Sequence, residues 1–302
     1  MSVSLWCEEE EGQSQAQEQD SARGEATLRA RWDPSVSGQR VVQRLLQLEE
    51  RYLPSPLYIA LVQRDPQRRE ELAKWAMEVC CDCSLDEAVF PLCVSLLDRY
   101  LSATLSLPVS PYCLAAACVL IASKLTESHN VSADALCAAA DHSFLPSSLR
   151  EMERVVLGTL RWDTAAVTPQ DFIPHFLPAF EQRTEGDTGA LVSTLRRHGD
   201  TLVAMCVCDS RFLGAPPSLL AAAALDSALR GLGHQGAERT AHSTLARLCQ
   251  ADEVVLQCYS ELIDAALTQR LGSGPQSNRE EKEGEMEDER AGTPTDMREV
   301  DF

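Results

Sequence analysis

Pro111-Tyr-Cys-Leu-Ala-Ala-Ala-Cys-Val-Leu-Ile-Ala-Ser-Lys-Leu-Thr-Glu127 is the stretch on which the reading of the fold turns. Ser110 is placed to cap a helix here, and Pro111 suits its first turn. The ten residues from Cys113 to Ala122 carry no charge and no strongly polar side chain. A helix that is apolar all round is buried on every side. Ten apolar residues are too few to span a bilayer, which takes about 20. The run then ends on Lys124, with Glu127 one turn on. A lone lysine there reads most simply as a solvated helix end. The sharper reading is a charge held at the rim of a core to meet a partner. The residues themselves leave both open.

A second stretch of this kind follows about 105 residues later, where Pro216-Pro217-Ser218 opens the alanine-rich run Leu219–Leu229. Around the first run, 3.6-residue periodicity predicts helices over Pro66–Cys83, Leu85–Ser102, Ser132–Ala140 and Ser147–Leu160. Around the second it predicts Pro169–Phe180, Gly189–Phe212, Thr240–Cys249 and Asp252–Leu271. Each alanine-rich helix is thus third in a set of five. That internal repeat predicts an all-α fold of two tandem five-helix bundles, each around a buried central helix. Gly38–Tyr52 is amphipathic and is expected to lie across the outside, ended by Pro54 and Pro56. In Ser147–Leu160, Leu149, Met152, Val155, Val156, Leu157 and Leu160 are expected inward. Asp98 sits among Leu97, Tyr100 and Leu101, so its carboxylate needs a cationic partner if buried. Arg69, on the preceding helix, is the candidate.

The formal net charge of −19 disfavours nucleic acid and anionic membranes as partners. Much of it lies at the ends. Residues 1–30 hold seven acidic against two basic side chains, and residues 273–302 hold ten against four. Both ends are poor in apolar residues and are expected to be disordered. The expected organisation is a tail over 1–36, an amino-terminal helix with the first bundle over 37–162, the second bundle over 163–271, and an acidic tail over 272–302. There are twelve cysteines, and acidic residues from Glu8 onward leave no apolar signal segment, so free thiols in a reducing compartment are expected. Cys80, Cys81 and Cys83 lack a second ligand pair at zinc spacing and read as small buried hydrophobes. No catalytic constellation, phosphate loop or cofactor motif is present. In the first tail, Leu5, Cys7 and Glu9 alternate, so an extended segment would show them on one face, followed by Glu10 and Glu11. In the last, Thr293-Pro294 is a minimal proline-directed phosphorylation site.

Trp75-Ala-Met-Glu-Val-Cys80, Val89-Phe-Pro-Leu, Leu96-Leu-Asp-Arg-Tyr-Leu-Ser102, Ile121-Ala-Ser-Lys124, Met152-Glu153 and Leu160-Arg-Trp162 together resemble the first cyclin box. Thr168-Pro-Gln-Asp-Phe172 and Pro216-Pro-Ser218 resemble parts of the second. With Leu-x-Cys-x-Glu near the start and Thr-Pro-Thr-Asp near an acidic end, the chain resembles the D-type cyclins over nearly its whole length.

The resemblance implies a regulatory subunit that activates a cyclin-dependent kinase of the 4/6 type and promotes G1/S progression, with no cofactor and no metal. Lys124 and Glu153 match the pair that contacts the kinase, and Arg69 and Asp98 match a buried structural ion pair. Leu5, Cys7 and Glu9 match the contact with retinoblastoma-family pocket proteins. Thr293 matches a phosphorylated threonine that leads to a ubiquitin ligase. Kinase inhibitors of the Cip/Kip type are further implied partners, and nucleus and cytoplasm the implied locations. Two departures stand out. The docking patch, here Arg69, Leu72 and Trp75, is made more polar by Arg68 and Glu71, which makes it degenerate for Arg-x-Leu segments. Cys113 replaces a usual leucine, a smaller apolar change that the fold is expected to survive. A divergent cyclin that activates its kinase weakly or on few substrates, and a cyclin-fold transcriptional adaptor, are the competing functions.

Overall fold

Two buried helices organise the chain, and each has neighbours on all sides. The computed structural model describes residues 39–181, 188–233 and 238–272, and these are helical, with no strand among them. In order they form α1 (Gln39–Glu49), α2 (Pro56–Arg64), α3 (Gln67–Asp82), α4 (Val89–Thr104), α5 (Pro111–Thr126), α6 (Ala133–Ala139) and α7 (Pro146–Thr159). Then come α8 (Pro169–Phe176), α9 (Pro178–Glu181), α10 (Thr188–Cys208), α11 (Pro217–Gly231), α12 (Glu238–Leu248) and α13 (Glu253–Gly272).

α5 is the hub of the first bundle. Every residue from Cys113 to Ser123 is buried, and α3, α4 and α7 pack around it. Alanines at 115, 116, 117 and 122 bring those backbones close; a leucine at Ala117 would overpack the site, at about 1–3 kcal/mol. α11 does the same work in the second bundle, buried from Pro217 to Leu229 and flanked by α8, α10, α12 and α13. Its approach to α10 is close enough that a Cβ on Gly199 would lie 2.9 Å from Leu225 Cδ2. The buried apolar residues form two clusters, one per bundle, and Val207 packs against both.

Local chemistry moves several boundaries from their sequence expectation. Ser110 makes no side-chain cap on α5; Pro111 alone marks its start. Ser84 takes a left-handed φ of 52°, so residues 85–88 form a turn and α4 starts at Val89 rather than Leu85. Glu127 holds that turn, accepting a 2.5 Å hydrogen bond from the Asp86 amide. The larger difference is α2, which the prolines at 54 and 56 hid. Pro56 sits in the first turn, where its missing N–H costs nothing, and the Ser55 hydroxyl accepts from the Tyr58 amide at 3.3 Å. A proline read as a terminator is an initiator here. Val155 also departs: it is 44% exposed, because Leu149 and Val156 already fill the inward face of α7.

Although α1 precedes the first bundle in sequence, its apolar face joins the second. Val42 belongs to the second core, with Leu45, Leu46 and Leu48 packed on it. The buried Glu49 carboxylate fixes the contact, accepting from both the amide and the hydroxyl of Ser218 at 2.8 Å. It therefore caps α11 from outside that helix. Burial raises the Glu49 pKa, and the Ser218 hydrogen bonds act against that rise.

Candidate functional site

The rim where α5 ends is built by the two helices that the packing brings side by side. Lys124 stands in the last turn of α5, where a cation suits the helix dipole. Glu153 lies midway along α7, and its carboxylate Oε1 is 2.5 Å from Lys124 Nζ. The lysine side chain is 43% exposed and the glutamate 14%, so the carboxylate is held and the ammonium faces out. A half-exposed pair of this kind contributes about 0–1 kcal/mol to stability. Its value is positional: it fixes one charge of each sign beside apolar surface.

That surface is substantial. Leu125 is 54% exposed, Val155 44% and Trp162 72%. Arg161 and Trp162 take left-handed φ values of 53° and 62° just past α7, and the Trp162 amide donates to Leu157 O at 2.8 Å. This closure ends the helix and leaves the indole outside the core. A large aromatic so exposed marks a candidate interaction surface. Leu125 and Trp162 were not singled out as contacts from the sequence. The available signal was an aromatic following the last periodic position of a helix. Behind the rim, Arg99 donates to Asp163 O and Ala165 O, both at 2.7 Å, which pins the link between bundles.

The structure brings Arg69 and Asp98 together as well. Arg69 Nε lies 3.1 Å from Asp98 Oδ1 and Nη2 2.9 Å from Oδ2, a bidentate pair with both residues at most 6% exposed. The Tyr58 hydroxyl donates to Asp98 Oδ1 at 2.9 Å. Arg69 Nη1 donates to Cys208 O at 3.0 Å, at the end of α10. The network therefore ties α2, α3 and α4 to the second bundle. Burial opposes the charge on Arg69, but the Asp98 carboxylate more than offsets it and the guanidinium pKa is raised. Burial, then the same carboxylate, pushes the Tyr58 hydroxyl up.

The three docking-patch residues differ in exposure. Arg69 and Leu72 are buried, turned inward by the ion pair and the core, and present no side chain to a ligand. Glu70 accepts from the amide and hydroxyl of Ser210 in the second bundle. Of the three patch residues only Trp75 is partly exposed, with the Tyr112 ring against it edge-on at 5.4 Å. Glu71 and Arg68 stand exposed nearby.

Burial pushes the Cys80 thiol up, and the Cys83 thiol is raised by the same cause. Neutral thiols pack as small hydrophobes, and no group of three metal-ligating side chains occurs among the described residues. Leu5, Cys7, Glu9 and Thr293 lie outside the described residues.

Comparison with known proteins places the geometry in context. The model of the cyclin N-terminal domain matches residues 40–165 and that of the cyclin C-terminal domain residues 167–285. The G1/S-specific cyclin-D2 of Mus musculus is 37% identical over 278 residues, covering 89% of this chain and 94% of the relative. The G1/S-specific cyclin-D3 of Homo sapiens is 39% identical over 256 residues, 83% of this chain and 85% of the relative. Among solved structures, a viral cyclin from herpesvirus saimiri superposes with a TM-score of 0.63 at 25% identity, over 76% of this chain and 97% of that one.

Proposed function

Because the chain belongs to the D-type cyclin family, and so is a regulatory subunit with a role at G1/S rather than an enzyme, we propose that it activates a cyclin-dependent kinase of the 4/6 type through the rim around Lys124 and Glu153. The observation that carries this reading is a fixed ion pair joining the end of α5 to α7, two helices whose ends also carry exposed Leu125, Val155 and, just past α7, Trp162. Apolar side chains give a partner helix something to bury, and the charges set its register.

Activation of this kind involves no chemistry by the cyclin. Phosphoryl transfer needs the kinase's lysine–glutamate pair in place. A subunit that binds the active arrangement more tightly than the inactive one shifts the population by that difference in affinity. The unpaired donors of Lys124 and the rim's apolar side chains are suited to hold the kinase helix that carries the glutamate. In this reading Leu5, Cys7 and Glu9 bring retinoblastoma-family proteins to the assembled kinase and raise their local concentration. Phosphate on Thr293 adds about −1.5 to −2 charges and makes a ligand for a ubiquitin ligase, in a protein shared between nucleus and cytoplasm.

One observation favours a restricted form of this function. With Arg69 and Leu72 buried and Glu71 exposed, docking of Arg-x-Leu substrates and Cip/Kip inhibitors would rest on Trp75 and Tyr112. Such a cyclin binds its kinase but serves few docked substrates. The test of the main reading is Lys124→Glu, assayed by kinase co-purification and by phosphorylation of a pocket-protein fragment. Both are expected to fall at least tenfold, since like charges would then meet at Glu153 and at the partner. Wild-type binding and activation would show that the interface lies elsewhere.

A further inference from the structure

A cavity of about 320 Å³ lies in the seam between the bundles, and neither Lys124 nor Glu153 lines it. Its first-bundle wall comes from the end of α3, the turn after it and the start of α4. Its second-bundle wall comes from α8 and α10. Met77, Cys80, Phe90 and Ala204 give it apolar sides, and Asp200 and Gln170 give it acceptors. Asp200 is only 9% exposed, and its Oδ2 makes no hydrogen bond. The Gln170 Oε1 is likewise buried without a hydrogen bond. The nearest cation to Asp200 is Arg196, whose Nε stands 3.6 Å from Oδ2 and whose Nη2 reaches toward Glu87 Oε2 at 3.7 Å. One guanidinium is thus shared between two carboxylates. Asp86 and Glu87 from the turn, and Arg197 from α10, are the other charged groups lining the cavity.

Two buried acceptors without donors are costly to leave, at about 1–3 kcal/mol each and more for a charged group. Both belong to the same cavity, and both call for a donor. We propose that this cavity seats a single lysine side chain from a basic segment of a partner protein, its ammonium bonded to Asp200 and Gln170 and its methylenes against Met77 and Phe90. An alkylammonium supplies three donors and no acceptor, which suits this set, and its stem suits the apolar sides. The acidic chain as a whole, at −19, favours approach of a basic segment. The site also carries its own pH dependence. Burial, then Glu87, pushes the Asp200 carboxyl up to about 7, with Arg196 acting against the rise. Seating a cation requires the ionised form, so affinity should strengthen as pH rises from 6 to 8. The kinase reading is not needed for any of this.

The test uses the full chain and ligand-observed NMR. The probes are a capped Ala-Leu-Lys-Leu-Ala peptide, the same peptide with Nε-acetyl-lysine, and n-butylammonium. The expected result is binding of the lysine peptide, weakened about tenfold by acetylation and by Asp200→Asn, as befits one charge-assisted hydrogen bond. Lys124→Glu should leave this binding intact, which separates the site from the kinase rim. Ala204→Leu, which fills the cavity while keeping the carboxyl, should also abolish it, and circular dichroism checks that both cavity variants are folded. Equal binding of the acetylated peptide, or full binding by folded Asp200→Asn, would overturn the proposal. Binding of n-butylammonium without the peptide would overturn the protein-partner assignment in favour of a free amine. Absence of binding by any probe would overturn the site itself.

Discussion

Replacing Arg69 by methionine removes one end of the buried network while keeping a side chain of similar length. Three acceptor atoms bear the consequence. Asp98 loses both guanidinium hydrogen bonds, at 3.1 and 2.9 Å, and keeps only the Tyr58 hydroxyl. Cys208 O loses its 3.0 Å donor at the end of α10. With Asp98 only 5% exposed, water cannot replace what is lost. Removing one partner of a buried ion pair costs about 3–5 kcal/mol, mostly as the penalty of an uncompensated charge. The network also spans the two bundles, so the loss should reduce their coupling. The assay is equilibrium urea unfolding at neutral pH, followed by tryptophan fluorescence and circular dichroism. At a slope of about 1–3 kcal/mol/M, the first midpoint should drop by at least about 1 M, and the two probes should cease to coincide. Arg69→Met/Asp98→Leu should regain more than half of the lost stability, because it removes the stranded charge. A cost below about 1 kcal/mol for the single variant, or a double variant no better than the single, would refute the argument that burial makes this pair matter.

Asp200 has a native pKa near 7, raised from an unfolded value of 3.8; a raised carboxyl gives stability that is present below the unfolded pKa and lost as pH rises through the native one. Thermal or urea stability should therefore fall by a few kcal/mol, at about 1.4 per pH unit, between pH 4 and 7 through this group, and Asp200→Asn should flatten that slope. Glu49→Ala should cost about 1–3 kcal/mol by stranding the Ser218 amide, and hydrogen exchange should accelerate first in α1 and the start of α11. At Gly214, φ is +85° and an added Cβ would lie 2.6 Å from Ile59 Cδ1. Gly214→Ala should thus cost about 1–3 kcal/mol, measured by unfolding, and should loosen α2 against the segment before α11.

The alanine-rich helices were legible because nothing polar interrupts Cys113–Ala122 or Leu219–Leu225: a stretch apolar all round has only one place to go. Asp98 was legible for the opposite reason, as one carboxylate among apolar residues, and its need for a cation pointed to Arg69. Other features resisted reading. Pro56 carries the same letter whether it ends a helix or starts one, and the Ser55 cap that decides the matter is a three-dimensional contact. Val155 fits a helical stripe by number, yet α7 has room inward for only part of that stripe. The exposure of the docking-patch residues was hidden for a related reason. On one helix turn, Arg69 and Glu70 reach across to Asp98 and Ser210, partners 29 and 140 residues away. Polarity in a sequence does not say whether the group meets water or another side chain.

The sequence by itself determined the two bundles, their buried central helices, the acidic balance and the family resemblance, because periodicity and composition are local and survive without coordinates. Only the tertiary structure decided what Lys124 does at the end of α5. Its partner, Glu153, is 29 residues away, and the two meet only when α5 and α7 pack. The seam between the bundles is likewise invisible in the chain order, since α1 crosses to the second core and α8 and α10 bring Gln170 and Asp200 to the end of α3. A side chain's burial and partners are set by long-range packing, and that is the quantity a one-dimensional pattern does not contain.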